Sequence, residues 1–425
     1  MENSGLTRRK FMALSAAFAT GCITSAPKAA AVIGANERLR IGIIGLGNRG
    51  MQLMRETMAK SAALNVQVAA VCDIFEPRKL EAKGISAGDL HHRWQELVVR
   101  PDIDAVMIAT PDHWHAPIAI AAMQTGKDVY CEKPMSRGIE EAKAFRDAAV
   151  ATKRIVQIGA QTASEPRWHA AREIVASGKL GAIMWSQEGH SRKSAHAAWN
   201  AAVQDATPEK LDWDAFAGDS EKRPFARERY FGWRKYWDYS GGIATDQHYD
   251  KLAGLMVALG AEFPLRVSAA GGVYEQDGRE APDSFVMTCE YPGRHTVVLA
   301  STAAHATEQP AVIRGHEATM YLSENKLAIE AEHEFRDTFT TRFGREPHVE
   351  IPVSAREGHI ENWIRCMRTR EKCVCNEDVS YMTMVAIGMS VEAYRQGRTL
   401  YFDPASEQVV PRPAWPQHPN LREIV

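Results

Sequence analysis

Gly45, Gly47 and Gly50, in the run Gly45-Leu46-Gly47-Asn48-Arg49-Gly50, have the spacing that lets a backbone turn close around a pyrophosphate. The first glycine permits the tight turn, the second lets the main chain approach the phosphates, and the third lets the next helix pack on the strand. The helix that opens at Asn48 and Arg49 adds N–H groups and a positive dipole end. Such a run is common by itself. Here it follows an apolar strand, and Asp73 ends the next strand, where a carboxylate can grip a ribose 2′-hydroxyl. Asp73 would repel a 2′-phosphate, which favours NAD over NADP, while Arg78 nearby blunts the preference. A second stretch, "RYFGWRKYWDYSGG" (229–242), sets aromatic faces such as Trp233 and Tyr239, which can stack on sugar rings, beside Arg234, which can bind hydroxyls or carboxylates. Packing between a sheet and its helices is the competing use of these aromatics. His113 and His115 in "PDHWH" alternate in an extended reading, but no third ligand at helix or strand spacing accompanies them, so no metal is expected.

These groups need a scaffold, and from Leu39 to about Gly159 the sequence reads strand, turn, helix in repetition. "LRIGIIG", "VQVAAVCD", "IDAVMIAT", "DVYCE" and "RIVQIG" are short apolar runs suited to burial on both faces of a parallel sheet. Helical spacing over 48–59, 116–125 and 138–151 separates them, and right-handed crossovers then predict a doubly wound sheet. Residues 160–240 are rich in Trp, Arg, His and Ser, with helical patches. Strand-like segments divided by turns from Leu265 to about Ile329 predict an antiparallel sheet, and helices return at about 358–370 and 379–396. The expected fold class is α/β: an N-terminal Rossmann doubly wound parallel sheet plus a C-terminal α/β domain with an open, mostly antiparallel sheet. The expected boundaries are 1–31 for a leader, 37–159 for the dinucleotide domain and 160–425 for the substrate domain, with a cleft between the two domains.

A chain of 425 residues suits two such domains. Its formal charge of −2 shows no basic excess, so nucleic acid is not an expected partner. The seven cysteines lack the density of a disulfide scaffold; Cys373-Val374-Cys375 is too close for a zinc knuckle and reads as an isolated surface pair. Arg8-Arg9-Lys10-Phe11, the apolar stretch from Met12 to about Ala26 and Ala29-Ala30-Ala31 read as a twin-arginine signal peptide with a cleavage site. The apolar run is too short to span a bilayer, so the mature chain is expected to have no integral membrane segment and to reside in the periplasm. Lipid anchoring at Cys22 ranks second, because Ala19 stands where a larger aliphatic residue is wanted.

"ATPDHWHAP" (109–117), "CEKPMS" (131–136) and "YSGGIATD" (239–246) together resemble the Gfo/Idh/MocA family of sugar-active oxidoreductases, over about residues 39–403. The resemblance implies a dinucleotide held by Gly45, Leu46, Gly47, Asn48, Arg49, Asp73, Arg78, Thr110, Pro111, His115, Glu132, Lys133 and Gln161. It implies a sugar held by Lys133, Trp233, Arg234, Tyr239 and Asp246. Lys133 matches the family's lysine, fixed by Pro134 at a strand end, where it can pull on a substrate hydroxyl as hydride leaves the carbon. Asp246 matches the aspartate after the Gly-Gly turn, but the histidine that often follows four residues later is replaced by Asp250. On a regular helix Asp246 and Asp250 share a face while His248 points away. The acid–base role then falls either to the two carboxylates as a pair or to Lys133, His248 or Tyr249.

The expected function is an NAD(P)-dependent oxidoreductase that takes hydride from a ring carbinol of a sugar or sugar derivative. A twin-arginine route carries folded proteins, so the dinucleotide would travel inside the chain and be retained between turnovers. A redox-neutral, NAD-dependent glycoside hydrolase, working by oxidation, elimination, water addition and reduction, is the alternative; the presence of Lys133 counts against it. Lys133 and Asp246 both count against a silent sugar-binding protein. Pairing of copies through the open sheet is expected.

Overall fold

Six apolar or short strands build the first sheet: β1 (Leu39–Ile44), β2 (Val66–Cys72), β3 (Asp89–His91), β4 (Ala105–Ile108), β5 (Asp128–Glu132) and β6 (Val156–Gly159). This is a computed structural model, and it describes residues 38–192, 206–274, 278–344 and 347–411. The twin-arginine stretch and Cys22 lie outside the described residues.

The first sheet is parallel throughout, in the order β3-β2-β1-β4-β5-β6. β4, β5 and β6 are buried along their whole length, as strands covered on both faces must be. Strand order reverses between β1 and β4, and the turn after β1 opens there, the position at which a doubly wound sheet presents a ligand crevice. β3 is an addition to the five apolar runs read from the sequence. Its three residues, Asp89-Leu90-His91, are polar or partly exposed and carry no apolar signal.

The second sheet has ten strands: β7 (Ile183–Ser191), β8 (Arg266–Gly272), β9 (Ser284–Tyr291), β10 (His295–Thr302), β11 (Ala311–Gly315), β12 (Ala318–Leu322), β13 (Lys326–Ala331), β14 (His348–Pro352), β15 (Leu400–Asp403) and β16 (Gln408–Val410). Their order is β14-β13-β12-β11-β7-β10-β9-β8-β15-β16; β7 and β10 pair in parallel and the remaining pairs are antiparallel. β10 alternates buried and half-buried residues without a break, so one face meets helices and the other is open. Helices Pro166–Ala176, Tyr249–Leu259 and Glu377–Gln396 cover the inner face. Met184, Trp185, Val286 and Tyr321 lie exposed on the strands.

Two further features depart from the sequence reading. Helix His359–Thr369, on the C-terminal side of the second sheet's main run, packs Ile360, Trp363, Ile364 and Met367 into the same cluster as Leu39, Ile41 and Ile43 of β1. The C-terminal helices therefore do not all belong to the second unit. Cys373 and Cys375 are not a surface pair: both are buried, and the carbonyl of Cys375 accepts a bond from Ile158 N–H at 2.9 Å, alongside the edge strand β6. No described helix is long and apolar enough to cross a membrane.

Candidate active site

A cleft of about 680 Å³ lies against the switch point of the first sheet, lined by residues of both sheets' connections. Gly45 bends back with φ +88°, and a Cβ on Gly50 would sit 1.8 Å from the Gly45 carbonyl, so turn and helix approach each other only because both are glycine. Asp73, at the end of β2, reinforces that turn: one carboxylate oxygen accepts the Leu46 N–H at 2.6 Å and the other the Phe75 N–H at 2.8 Å. Leu46 thus serves through its backbone while its side chain is core. Gly45, Gly47, Asn48, Arg49, Asp73, Arg78, Thr110, Pro111, His115, Glu132, Lys133 and Gln161 all line the cleft. Two of the lining side chains, Gln95 and Thr110, bury an oxygen that has no partner among the described residues. A glycine cradle, a helix N-terminus, a carboxylate at the ribose end and two unpartnered polar atoms fit a dinucleotide.

At the other end of the cleft, Lys133 directly follows β5, and its peptide bond to Pro134 is cis. Its ammonium donates to the backbone carbonyl of Asp246 and stands 3.1 Å from that residue's Oδ1. Arg234 Nε reaches the same oxygen at 2.9 Å, with its guanidinium 4.1 Å from the Trp233 ring centre. Burial opposes the charge on Asp246, but Lys133 and then Arg234 outweigh it and hold the carboxyl down to about 2. Asp246 is therefore a carboxylate at any ordinary pH.

Two networks support the site, and only the first was not singled out from the sequence. Asp112, fully buried at the start of helix Asp112–Gln124, accepts bonds from Ser240 Oγ at 2.8 Å and Thr245 Oγ1 at 2.9 Å, tying the "YSGG" turn to the first sheet. Burial pushes its carboxyl up to about 6 against the pull of Arg234 and the two hydroxyls. Only the "PD" of "PDHWH" pointed there. Glu132, next to Lys133, accepts from Arg49 Nε at 2.7 Å and Gln161 Nε2 at 3.3 Å, and Gln161 also donates to Tyr130 Oη at 2.8 Å.

Several candidates fall elsewhere. His113 and His115 lie on helix Asp112–Gln124, not on an extended segment, and diverge: His113 Nε2 meets the Phe216 carbonyl at 2.8 Å, whereas His115 sits between the Pro134 and Thr110 carbonyls at 2.6 and 2.8 Å. Residues Ala244–His248 wind as a π-helix, a wider turn that is frequent at functional sites. Beyond Asp246 it carries His248 into the core, fully buried against Phe285 with neither ring nitrogen partnered among the described residues, and burial lowers its pKa to about 3. His248 is not a proton acceptor at the cleft. Tyr249 is also buried and donates to the Ser380 carbonyl at 3.2 Å. Asp250 is engaged by the Thr162 hydroxyl and lines no part of the cleft, so it forms no carboxylate pair with Asp246 there. Tyr239 is fully buried, its ring 4.7 Å from Phe216 and 5.1 Å from His113, which makes it packing and not sugar contact. Among the described residues, no group of three or more His, Cys, Asp or Glu is arranged to hold a metal.

Comparison with known proteins agrees with this geometry. Residues 39–160 match the profile of an oxidoreductase family described as an NAD-binding Rossmann fold, and residues 168–415 match that family's C-terminal alpha/beta domain. A protein of Rubrobacter xylanophilus named inositol 2-dehydrogenase is 28% identical over 180 residues, 40% of this chain and 51% of its own length. A glycosyl hydrolase family 109 protein of Solibacter usitatus is 35% identical over 131 residues, 28% of this chain and 29% of its own. The chain thus spans about half or less of these curated relatives. A solved levoglucosan dehydrogenase, in complex with NADH and L-sorbose, superposes with a TM-score of 0.67 at 17% identity, covering 87% of this chain and all of that one; at that identity the likeness speaks for the fold.

Proposed function

The chain belongs to the Gfo/Idh/MocA oxidoreductase family, and from that premise we propose that it takes hydride from a ring carbinol of a sugar or sugar derivative. The observation that carries this reading is Lys133, at a strand end in the cleft of the glycine turn, facing Asp246 and Arg234. A bound nicotinamide supplies the hydride acceptor. Lys133, as the neutral amine, would take the proton of the substrate hydroxyl as the C–H bond breaks, and Asp246 orients Nζ and balances the charge of the ammonium so formed. Arg234 holds Asp246 in place, and with Trp233 it offers a planar donor and an aromatic face to a sugar ring. Asp73 favours NAD over NADP.

The leader pattern supports export through the twin-arginine route to the periplasm, with the dinucleotide retained between turnovers. The exposed apolar residues on the open sheet support pairing of two copies through that face. The test is a sugar panel on purified holoenzyme, following nicotinamide fluorescence together with the products. Sugar-dependent reduction of the bound cofactor with an oxidised product supports the reading; no redox change across the panel removes it. The family 109 relative favours one rival, redox-neutral glycoside hydrolysis, which would appear as aryl glycoside cleavage without net change in the cofactor.

A further inference from the structure

Residues 206–239, between β7 and the turn that carries Asp246, belong to the second half of the chain yet pack on the loops of the first sheet. The backbones are joined: Leu211 pairs with Phe75, Glu76 N–H donates to the Lys210 carbonyl at 2.9 Å, and Asp212 N–H donates to the Ile74 carbonyl at 3.2 Å. Aromatic packing follows, with Phe75 entering a cluster of Phe216, Tyr230, Phe231 and Trp233. Asp212 draws three groups together. It caps helix Trp213–Ala217 by accepting Ala215 N–H at 2.9 Å, and its other oxygen lies 2.7 Å from Arg93 and 3.0 Å from His92. Arg78 donates to Tyr230 Oη at 2.8 Å, and the Phe216 carbonyl takes bonds from both Trp114 and His113 at 2.8 Å. Gly218 has φ +57°, and a Cβ there would stand 2.5 Å from the Trp114 ring, so the segment lies flat on it only as glycine.

This strap walls the cleft. Asp214, Ala215, Phe216 and Tyr230 line it together with Asp73, Arg78, Arg93 and Gln95 of the first sheet's loops, the end at which Asp73 would meet the ribose of a bound dinucleotide. A ligand seated there is enclosed by two parts of the chain that are bonded to each other.

We propose that the strap is a clasp over the adenosine half of the dinucleotide, which must lift for the cofactor to leave, and that Asp212 is its latch. The proposal rests on the reading that the cleft holds a dinucleotide. It makes Asp212 a positioning residue that acts on release of the cofactor and not on hydride transfer. Affinity changes of this kind fall mainly on the dissociation rate.

The experiment is exchange of bound NAD in purified holoenzyme for isotopically labelled NAD, followed by mass spectrometry, with thermal midpoints recorded in parallel. Asp212→Ala and Tyr230→Leu should exchange about tenfold faster than the parent, with Asp212→Asn between the parent and Asp212→Ala because it keeps the helix cap but loses the ion pair. Arg342→Ala, which removes a surface pair with Glu317, serves as the control and should exchange at the parental rate. Exchange at the parental rate in both Asp212→Ala and Tyr230→Leu overturns the clasp, and so does a lowered midpoint without faster exchange. If the parent protein neither carries NAD nor takes up the label, the dinucleotide reading itself has failed, and the clasp fails with it.

Discussion

Lys133 and Arg234 converge on a single oxygen, Oδ1 of Asp246, at 3.1 and 2.9 Å. One carboxylate therefore orients two cations from different parts of the chain. Asp246→Asn keeps the shape but removes the charge, and should lower kcat by about 10²-fold to 10⁴-fold while nicotinamide binding, measured by fluorescence titration, stays near the parental value. The ionisation of this carboxyl stabilises the fold above the unfolded value of 3.8, and that contribution is lost as pH falls through about 2. Any acid limb of the rate between pH 4 and 7 thus belongs to another group.

Lys133→Ala should abolish sugar oxidation and leave NAD binding largely intact, since the glycine turn and Asp73 do not depend on it. Unchanged turnover would take Lys133 out of the mechanism.

Asp112 carries a testable pH signature. Its folded pKa, about 6, stands above its unfolded value, so the stability tied to its protonated form is complete below 3.8 and is lost as pH rises through 6. Relative to the parent, Asp112→Asn should gain up to about 3 kcal/mol between pH 4 and pH 7.5 in denaturant melts. The same variant loosens the "YSGG" turn, so its kcat should fall where its stability rises.

Buried histidines act in the opposite direction. Burial depresses His113 and His248 to about 3 and His295 and His359 to about 4, so their stability contribution is complete above 6.5 and is lost as pH falls. The thermal midpoint should drop steadily from pH 7 to pH 5, with each such histidine costing roughly 2 kcal/mol at pH 5. His248→Phe should flatten that slope without altering catalysis at pH 7.5.

The first sheet was legible because most of its strands are short, nearly continuous apolar runs, and local pattern suffices where both faces are buried. β3 and β7 were not legible: Asp89-Leu90-His91 is too polar and short, and "IMWSQEGHS" lacks alternation, although β7 holds the centre of the second sheet. At the site, the glycine turn and Asp73 followed from a motif whose geometry is fixed by backbone, while Thr110, Pro111, His115, Glu132, Lys133 and Gln161 followed from the family resemblance. The acid–base side depended on one π-turn, which no spacing rule for a regular helix anticipates: that rule set Asp250 on one face with Asp246, whereas Asp250 engages Thr162, and it already turned His248 away. Asp112 escaped notice because its partners, Ser240 and Thr245, are more than 120 residues away in sequence.

The strap has an architectural consequence. The glycine turn lies within the first 160 residues, but the wall opposite it is contributed by 206–239 and one face of the first sheet by 359–369. A fragment cut after Gly159 would keep the recognisable fingerprint as a half-shell, open to solvent and missing part of its own core. On the proposed reading, tight custody of the nucleotide would be a trait of the unbroken polypeptide, acquired only when the later residues have been synthesised and have folded back.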